Sequence, residues 1–203
     1  GDISVFSFYA TKIITTGEGG MITTNNKKLK DFCLKMRNHG RNLKNNLFEM
    51  HGNNFRLSEI QAVIGIYQLS NLKKAINHRN KLAKIYNKYL KNLDYFEKFT
   101  FEKKSKHSFW RYPLYLNTKI NRSILQKKMA MKYKIRITWM YEPLCHLQPI
   151  FKKKNKLKLP VAEKTIKRLI NLPTHLNISE NDAKKISSLL ILECKKIYNA
   201  KNF

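Results

Sequence analysis

Acidic residues are scarce: 13 Asp and Glu stand against 41 Lys and Arg, a formal net charge of +28 at pH 7 over 203 residues. Taken alone, such an excess points to a polyanionic partner. Its distribution points elsewhere, because lysines recur along the polar faces of nearly every expected helix. Asn, Ile, Phe and Tyr are abundant as well, a bias that A/T-rich coding produces without selection for binding. The excess is read as a solvated, lysine-rich surface. A basic nucleic-acid-binding protein is the alternative, with Lys152-Lys153-Lys154 as its best local support. No aromatic platform interleaves with that run, and no helix-turn-helix or zinc pattern surrounds it, so no specific nucleic acid is expected.

Cysteine is sparse too. Cys33, Cys145 and Cys194 are an odd, widely spaced set without zinc-site spacing, which points to reduced thiols in a cytoplasm and to no metal; Cys33 and Cys194 are read as packing residues. No apolar run approaches the roughly 20 residues of a membrane-spanning helix. Gly1-Asp2-Ile3-Ser4-Val5-Phe6 has neither a starting Met nor a signal-peptide layout and reads as a strand already under way, so an N-terminal portion is expected to be missing. No internal repeat is present. What remains is an apolar fraction of 42%, sufficient for the core of an α/β or α+β protein.

Ile3 to Phe8 alternates like a half-buried strand, and Lys12 follows it directly. Ile13 to Thr16 and Met21 to Thr24 flank Gly17-Glu18-Gly19-Gly20 and read as a hairpin. Leu29, Phe32, Cys33 and Met36 fall at helical spacing, with Gly40 as the stop. After an Asn- and Gly-rich loop from Arg41 to Asn54, Ser58 and Gln61 form a capping box that opens a helix with Ile60, Val63, Ile64 and Tyr67 on its apolar face. The helical pattern resumes through Leu72 to Leu90, a natural bridge between two domains. Beyond it the pattern gives strands at Phe109 to Leu116 and Ile135 to Met140. Helices are expected at Arg122 to Tyr133, Val161 to Ile170 and Glu180 to Tyr198, the last opened by Ser179 with Asp182 three residues on.

Several segments carry a resemblance. Phe6-Ser7-Phe8-Tyr9-Ala10-Thr11-Lys12, followed by Thr15-Thr16-Gly17-Glu18-Gly19-Gly20-Met21-Ile22-Thr23-Thr24-Asn25, resembles the signature segment of the DegT/DnrJ/EryC1/StrS sugar aminotransferases, fold-type-I pyridoxal-phosphate enzymes. Arg37-Asn38-His39-Gly40 and Asn54-Phe55-Arg56-Leu57-Ser58-Glu59-Ile60-Gln61-Ala62 are similar to two further family segments. His107-Ser108-Phe109-Trp110, Pro143-Leu144-Cys145-His146-Leu147-Gln148-Pro149, Pro160-Val161-Ala162-Glu163 and Asn171-Leu172-Pro173 follow in the family's order. The resemblance covers essentially the whole chain.

It implies a three-layer α/β fold, with residues 1–70 completing the large cofactor domain and residues 71–203 forming a small α+β domain. It implies pyridoxal 5'-phosphate as cofactor and Lys12 as the lysine that forms the Schiff base with it. The cofactor is the electron sink; the protein must tether its aldehyde, release it to an incoming amine and shuttle a proton, and only an amine side chain does all three. The resemblance also implies that Ser7 donates to the cofactor phosphate, against a core-facing strand serine. It implies further that Asn54 reaches the phosphate of a neighbouring subunit's cofactor, against a helix-entry turn residue. Arg56 reads as a phosphate ligand or, more simply, a structural ion pair; His39 and Gly17, Gly19 and Gly20 read as structural.

Tyr141 and His146 sit where the family's small-domain loop approaches the sugar, although a buried structural histidine is an equal reading of His146. That loop departs from the pattern, since Cys145 separates Leu144 from His146 and Trp139-Met140 replace residues that are often Arg or His. The acid for the pyridine nitrogen and the aromatic that stacks on the ring, which the family's first half supplies, are not among these residues. The expected reaction moves an amino group from glutamate to a nucleotide-linked keto sugar, for surface polysaccharide or lipopolysaccharide, in a cytoplasmic homodimer. A family member turned sugar dehydratase or regulator is a second alternative; relatives that dehydrate carry histidine where this chain has Lys12.

Overall fold

In the computed structural model, which describes residues 1–97, 106–152 and 157–200, the strand expected at Met21 to Thr24 has a different partner from the one its sequence predicts. β1 (Ser4–Ser7) pairs antiparallel with β2 (Gly20–Thr23), Ser4 opposite Thr23 and Ser7 opposite Gly20. Ile13 to Thr16 is no strand. The Thr15 hydroxyl donates to the Phe8 carbonyl at 3.0 Å and the Thr16 hydroxyl to Glu18 O at 2.6 Å, so these side chains bond locally and the segment loops out.

The chain divides into two units, Gly1–Ala75 and Ile76–Phe203. In the first, α1 (Lys27–Met36) starts at Asn26, whose side chain accepts the Lys28 and Leu29 amides. The helix ends on Arg37, and Gly40 follows with φ +77°. Its amide bonds Lys35 O at 2.9 Å, and a Cβ there would lie 1.6 Å from Met50 O. α2 (Glu59–Ser70) opens with the expected capping box. Its expected apolar face is exposed, however: Ile60, Val63 and Tyr67 are 76%, 67% and 72% accessible, and nothing in this unit covers them.

α3 (Leu72–Leu90) begins in the first unit and runs into the second. There Leu82, Ala83, Tyr86 and Leu90 enter a single core. β3 (Phe96–Glu97), β4 (Tyr112–Leu116) and β5 (Leu169–Leu172) form an antiparallel sheet with β4 in the middle. Tyr112, Leu114 and Leu116 point into the core, and Pro113 and Tyr115 point away, the period of two that a one-sided strand requires. α4 (Arg122–Tyr133) has the expected bounds and packs on a long C-terminal helix.

Two expectations fail here. Ile135 to Met140 is not a strand; Thr138 and Asn171 exchange one pair of backbone bonds, while Ile137 fills the core without a ladder. The helix expected to reach Ile170 stops at Ile166. After the short α5 (Pro149–Lys152), α6 is Pro160–Ile166, and Leu169 to Leu172 become β5. A short apolar run fits a buried strand as well as a helix end, and the Arg168 carbonyl accepting the Leu116 amide at 2.9 Å places this run beside β4. Lys153 and Lys154 lie outside the described residues.

α7 (Glu180–Asn199) opens on the Ser179/Asp182 capping box. Cys194 is buried, which pushes its thiol up to about 12, and Cys33 is half-buried. α7 also buries Glu193, 1% accessible. Tyr133 OH donates to its Oε1 at 2.7 Å, and the ammonium groups of Lys128, Lys132 and Lys196 stand 3.5–3.6 Å from its oxygens. The tyrosine bond first, and the lysines with it, hold this carboxyl below its ordinary value of 4.5 despite burial.

A depressed carboxylate contributes stability above its unfolded value and loses it as pH falls through the folded one. Glu193→Gln is therefore expected to cost the second unit about 1–3 kcal/mol at neutral pH, with the gap to the unsubstituted chain closing below pH ~4. Urea unfolding followed by Trp110 and Trp139 fluorescence checks this, and identical midpoints at neutral pH would refute it.

Candidate cofactor-anchoring site

Phe8 is the pivot of the lysine loop. Its N–H donates to Gly19 O at 2.9 Å, extending the β1–β2 ladder by one step, and its carbonyl accepts the Thr16 N–H at 3.0 Å. These bonds close the base of an excursion from Tyr9 to Thr15. Within it the Lys12 N–H bonds Tyr9 O at 2.9 Å in a tight turn, and Lys12 is half-buried.

α2 braces this loop. Gln61 Nε2 donates to Glu18 O at 2.8 Å while Gln61 Oε1 accepts the Ser58 amide, so one side chain caps the helix and holds the turn. Thr16, 4% accessible, packs against Gly65, where an added Cβ would lie 3.1 Å from its Cγ2. Neither contact was visible in sequence: Thr16 read as a strand residue and Gln61 as a cap only. The capping box was the one usable signal, because it places Gln61 at the helix start.

Gly19 has φ +147°, and a Cβ there would meet Thr16 Oγ1 at 2.6 Å and Leu57 Cδ1 at 2.9 Å. Gly19→Ala is expected to cost the loop about 1–3 kcal/mol through overpacking and backbone strain. Hydrogen exchange reads it directly, as faster exchange at the Phe8 and Thr16 amides; unchanged protection there would contradict the account.

Ser7 ends β1 opposite Gly20. It is exposed rather than core-facing, and its Oγ accepts the Tyr9 amide at 3.4 Å. Asn54 is fixed by an isolated bridge to Asn38, and the flanking Asn53 and Phe55 amides bond Met36 O and Arg37 O at 2.9 Å. Its Oδ1 accepts from Arg56 Nε at 3.0 Å, which leaves the amide nitrogen as the donor face. Arg56 thus meets an amide where an ion pair was expected. Ser7, Lys12 and Asn54 all belong to the first unit.

Tyr141 and His146 belong to the second. Tyr141 is 62% accessible. His146 lies in a short 3-10 turn, Cys145–Leu147, with its side chain 7% accessible and Nε2 3.0 Å from Glu163 Oε1. Glu163 also accepts the Leu159 amide at 2.9 Å, and that bond first, then His146, lowers its carboxyl. The histidine ties α6 to its loop, in line with the structural reading of His146, through a partner, Glu163, that the sequence did not indicate.

Among the described residues no helix is long and apolar enough to cross a membrane. The chain is 35% identical over 183 residues to the GDP-perosamine synthase of Escherichia coli O157:H7, covering 88% of this chain and 48% of that protein. It is 33% identical over 192 residues to a Helicobacter pylori UDP-4-amino-4,6-dideoxy-N-acetyl-beta-L-altrosamine transaminase, covering 91% and 50%. Among solved structures, Helicobacter pylori PseC, an aminotransferase of pseudaminic acid biosynthesis, superposes with a TM-score of 0.86 at 28% identity over 98% of this chain and 54% of that one. The chain spans about half the length of the curated relatives it matches. Its α/β fold is that of the fold-type-I pyridoxal-phosphate transferases. The model of the DegT/DnrJ/EryC1/StrS aminotransferase family matches residues 1–190, and the chain belongs to that family.

Proposed function

We propose that this chain is the lysine-bearing part of a pyridoxal-phosphate-dependent aminotransferase that moves an amino group from glutamate to a nucleotide-linked keto sugar, in the cytoplasm, for surface polysaccharide or lipopolysaccharide. The observation that carries the reading is Lys12 at a tight turn whose base is closed by Phe8 and braced by Gln61. The relatives' names, a GDP-perosamine synthase and a UDP-amino-sugar transaminase, support the substrate class.

The donor set suits the cofactor. Lys12 offers an amine to its aldehyde and Ser7 a hydroxyl to its phosphate, while the Asn54 amide N–H is assigned to the phosphate of a neighbouring subunit's cofactor. Bound there, the cofactor supplies the electron sink that makes the substrate carbon acidic. The closed loop holds the Lys12 amine in place, where it accepts and returns that proton. Tyr141 and His146 are assigned to the sugar side. Residues 1–70 are assigned to the large domain and 71–203 to the small one.

A homodimer is part of the proposal. α2 leaves Ile60, Val63, Ile66 and Tyr67 exposed, and an apolar helix surface of that extent is normally buried. The test is direct: the chain, expressed with whatever its gene encodes before Gly1, is given glutamate and a panel of UDP-, GDP- and TDP-linked keto sugars. Formation of an amino sugar with 2-oxoglutarate is the expected result. A complete enzyme that binds the cofactor yet aminates none of the panel would overturn the substrate class.

A further inference from the structure

In the second unit, the turn after α4 and the segment entering α7 line a cleft of about 350 Å³. Ile135, Ile178 and Ile186 give it apolar walls, and Lys134, Arg136, His175 and Lys185 stand around it. All four basic residues are solvent-accessible. Lys134 occupies the left-handed position that closes α4, φ +59°, where glycine is the usual residue.

The one carboxylate lining the cleft is Asp182, and it is engaged. It accepts the Ser179 N–H at 2.9 Å and hydroxyl at 2.7 Å, and these bonds, with Lys185 nearby, keep it ionised below its ordinary range. Three permanent cations therefore face one ionised carboxylate, a local excess of positive charge, with His175 beside them. In the larger groove at the start of α4, about 630 Å³, the guanidinium groups Arg122 and Arg168 are already bonded to Glu142 and Glu97, and Glu163 lines the groove beside Lys164 and Lys167. Lysines such as Lys84 and Lys88 stand on the convex face of a helix, where water screens each one separately. Cations gathered on a concave surface repel one another and gain most from a single shared anion.

We propose that this cleft binds a small polyanion of the diphosphate class. Arg136 presents a planar fork suited to two phosphoryl oxygens, and Lys134 and Lys185 act as point charges on either side. The volume suits a small ligand, not a polymer. The one phenol lining it, Tyr133, has its hydroxyl committed to Glu193, and no Phe or Trp lines the cleft.

The experiment titrates the 203-residue chain with inorganic pyrophosphate at low and at physiological ionic strength, reading thermal unfolding of the second unit through Trp110 and Trp139. Saturable stabilisation is expected, weakened about tenfold or more in Arg136→Gln/Lys185→Gln. Lys84→Gln/Lys88→Gln removes the same charge from exposed α3 positions and is expected to leave affinity within about twofold. The native emission spectrum confirms folding of both variants, whose substituted residues are all exposed. Equal weakening in the two variants, a non-saturable response, or an equal effect of sulfate at matched ionic strength would each overturn the proposal.

Discussion

Alanine at position 12 is expected to abolish amino transfer in the complete enzyme, together with the visible absorption of lysine-bound pyridoxal phosphate. A methyl group can neither attack the cofactor aldehyde nor carry a proton. The proton-transfer role alone is worth about 10²–10⁴-fold, and loss of the tether adds to it. The substitution should leave the loop intact, because the bonds that close it run through Phe8, Thr15, Thr16 and Gln61. Loss of activity with unchanged exchange at the Phe8 and Thr16 amides would separate lost chemistry from misfolding. Lys12→Arg is expected to fail equally, since guanidinium keeps the charge without a nucleophilic amine. An unchanged spectrum in Lys12→Ala, with borohydride trapping the cofactor on another lysine, would remove Lys12 from the mechanism.

What the sequence made legible was local. Ser58 with Gln61 and Ser179 with Asp182 announce helix starts because each pair satisfies amides within one turn, and both capping boxes are present. Asn121 to Tyr133 is equally self-contained, and α4 has the expected bounds. The misreadings involve partners outside the segment being read. Ile13 to Thr16 has strand composition, yet the ladder runs from β1 to β2 across it, and nothing in those four residues tells whose carbonyl their hydroxyls will find. Leu169 and Ile170 look like a helix end until β4 is known to lie beside them. Of the site, Lys12 and Ser7 were named from a motif, but the brace from Gln61 to Glu18 spans 43 residues and has no local signature. His146 shows the same limit: its partner Glu163 lies on another element, so the sequence left a substrate contact and a structural histidine equally open.

The second large effect concerns the 203-residue chain by itself, which is expected not to bind pyridoxal phosphate productively although it contains Lys12. β1 and β2 form a two-stranded sheet in which every residue is exposed, and an isolated hairpin of this kind is marginally stable at best. Its outer edges are unpaired within the unit, so the strand that positions Lys12 is fixed mainly by Phe8, Thr16 and α2. α2 in turn shows Ile60, Val63 and Tyr67 to solvent, so the element bracing the loop is itself poorly supported. Cofactor affinity needs several preorganised contacts, and one hydrolysable bond to an amine does not replace them. A titration of the chain with cofactor, followed at the imine band beside an equal concentration of a simple lysine peptide, should give two similar, weak curves. Saturable binding at one site, tighter than the peptide by about 10²-fold or more and lost in Lys12→Ala, would mean that these residues already form a complete pocket and that no further segment is needed to build one.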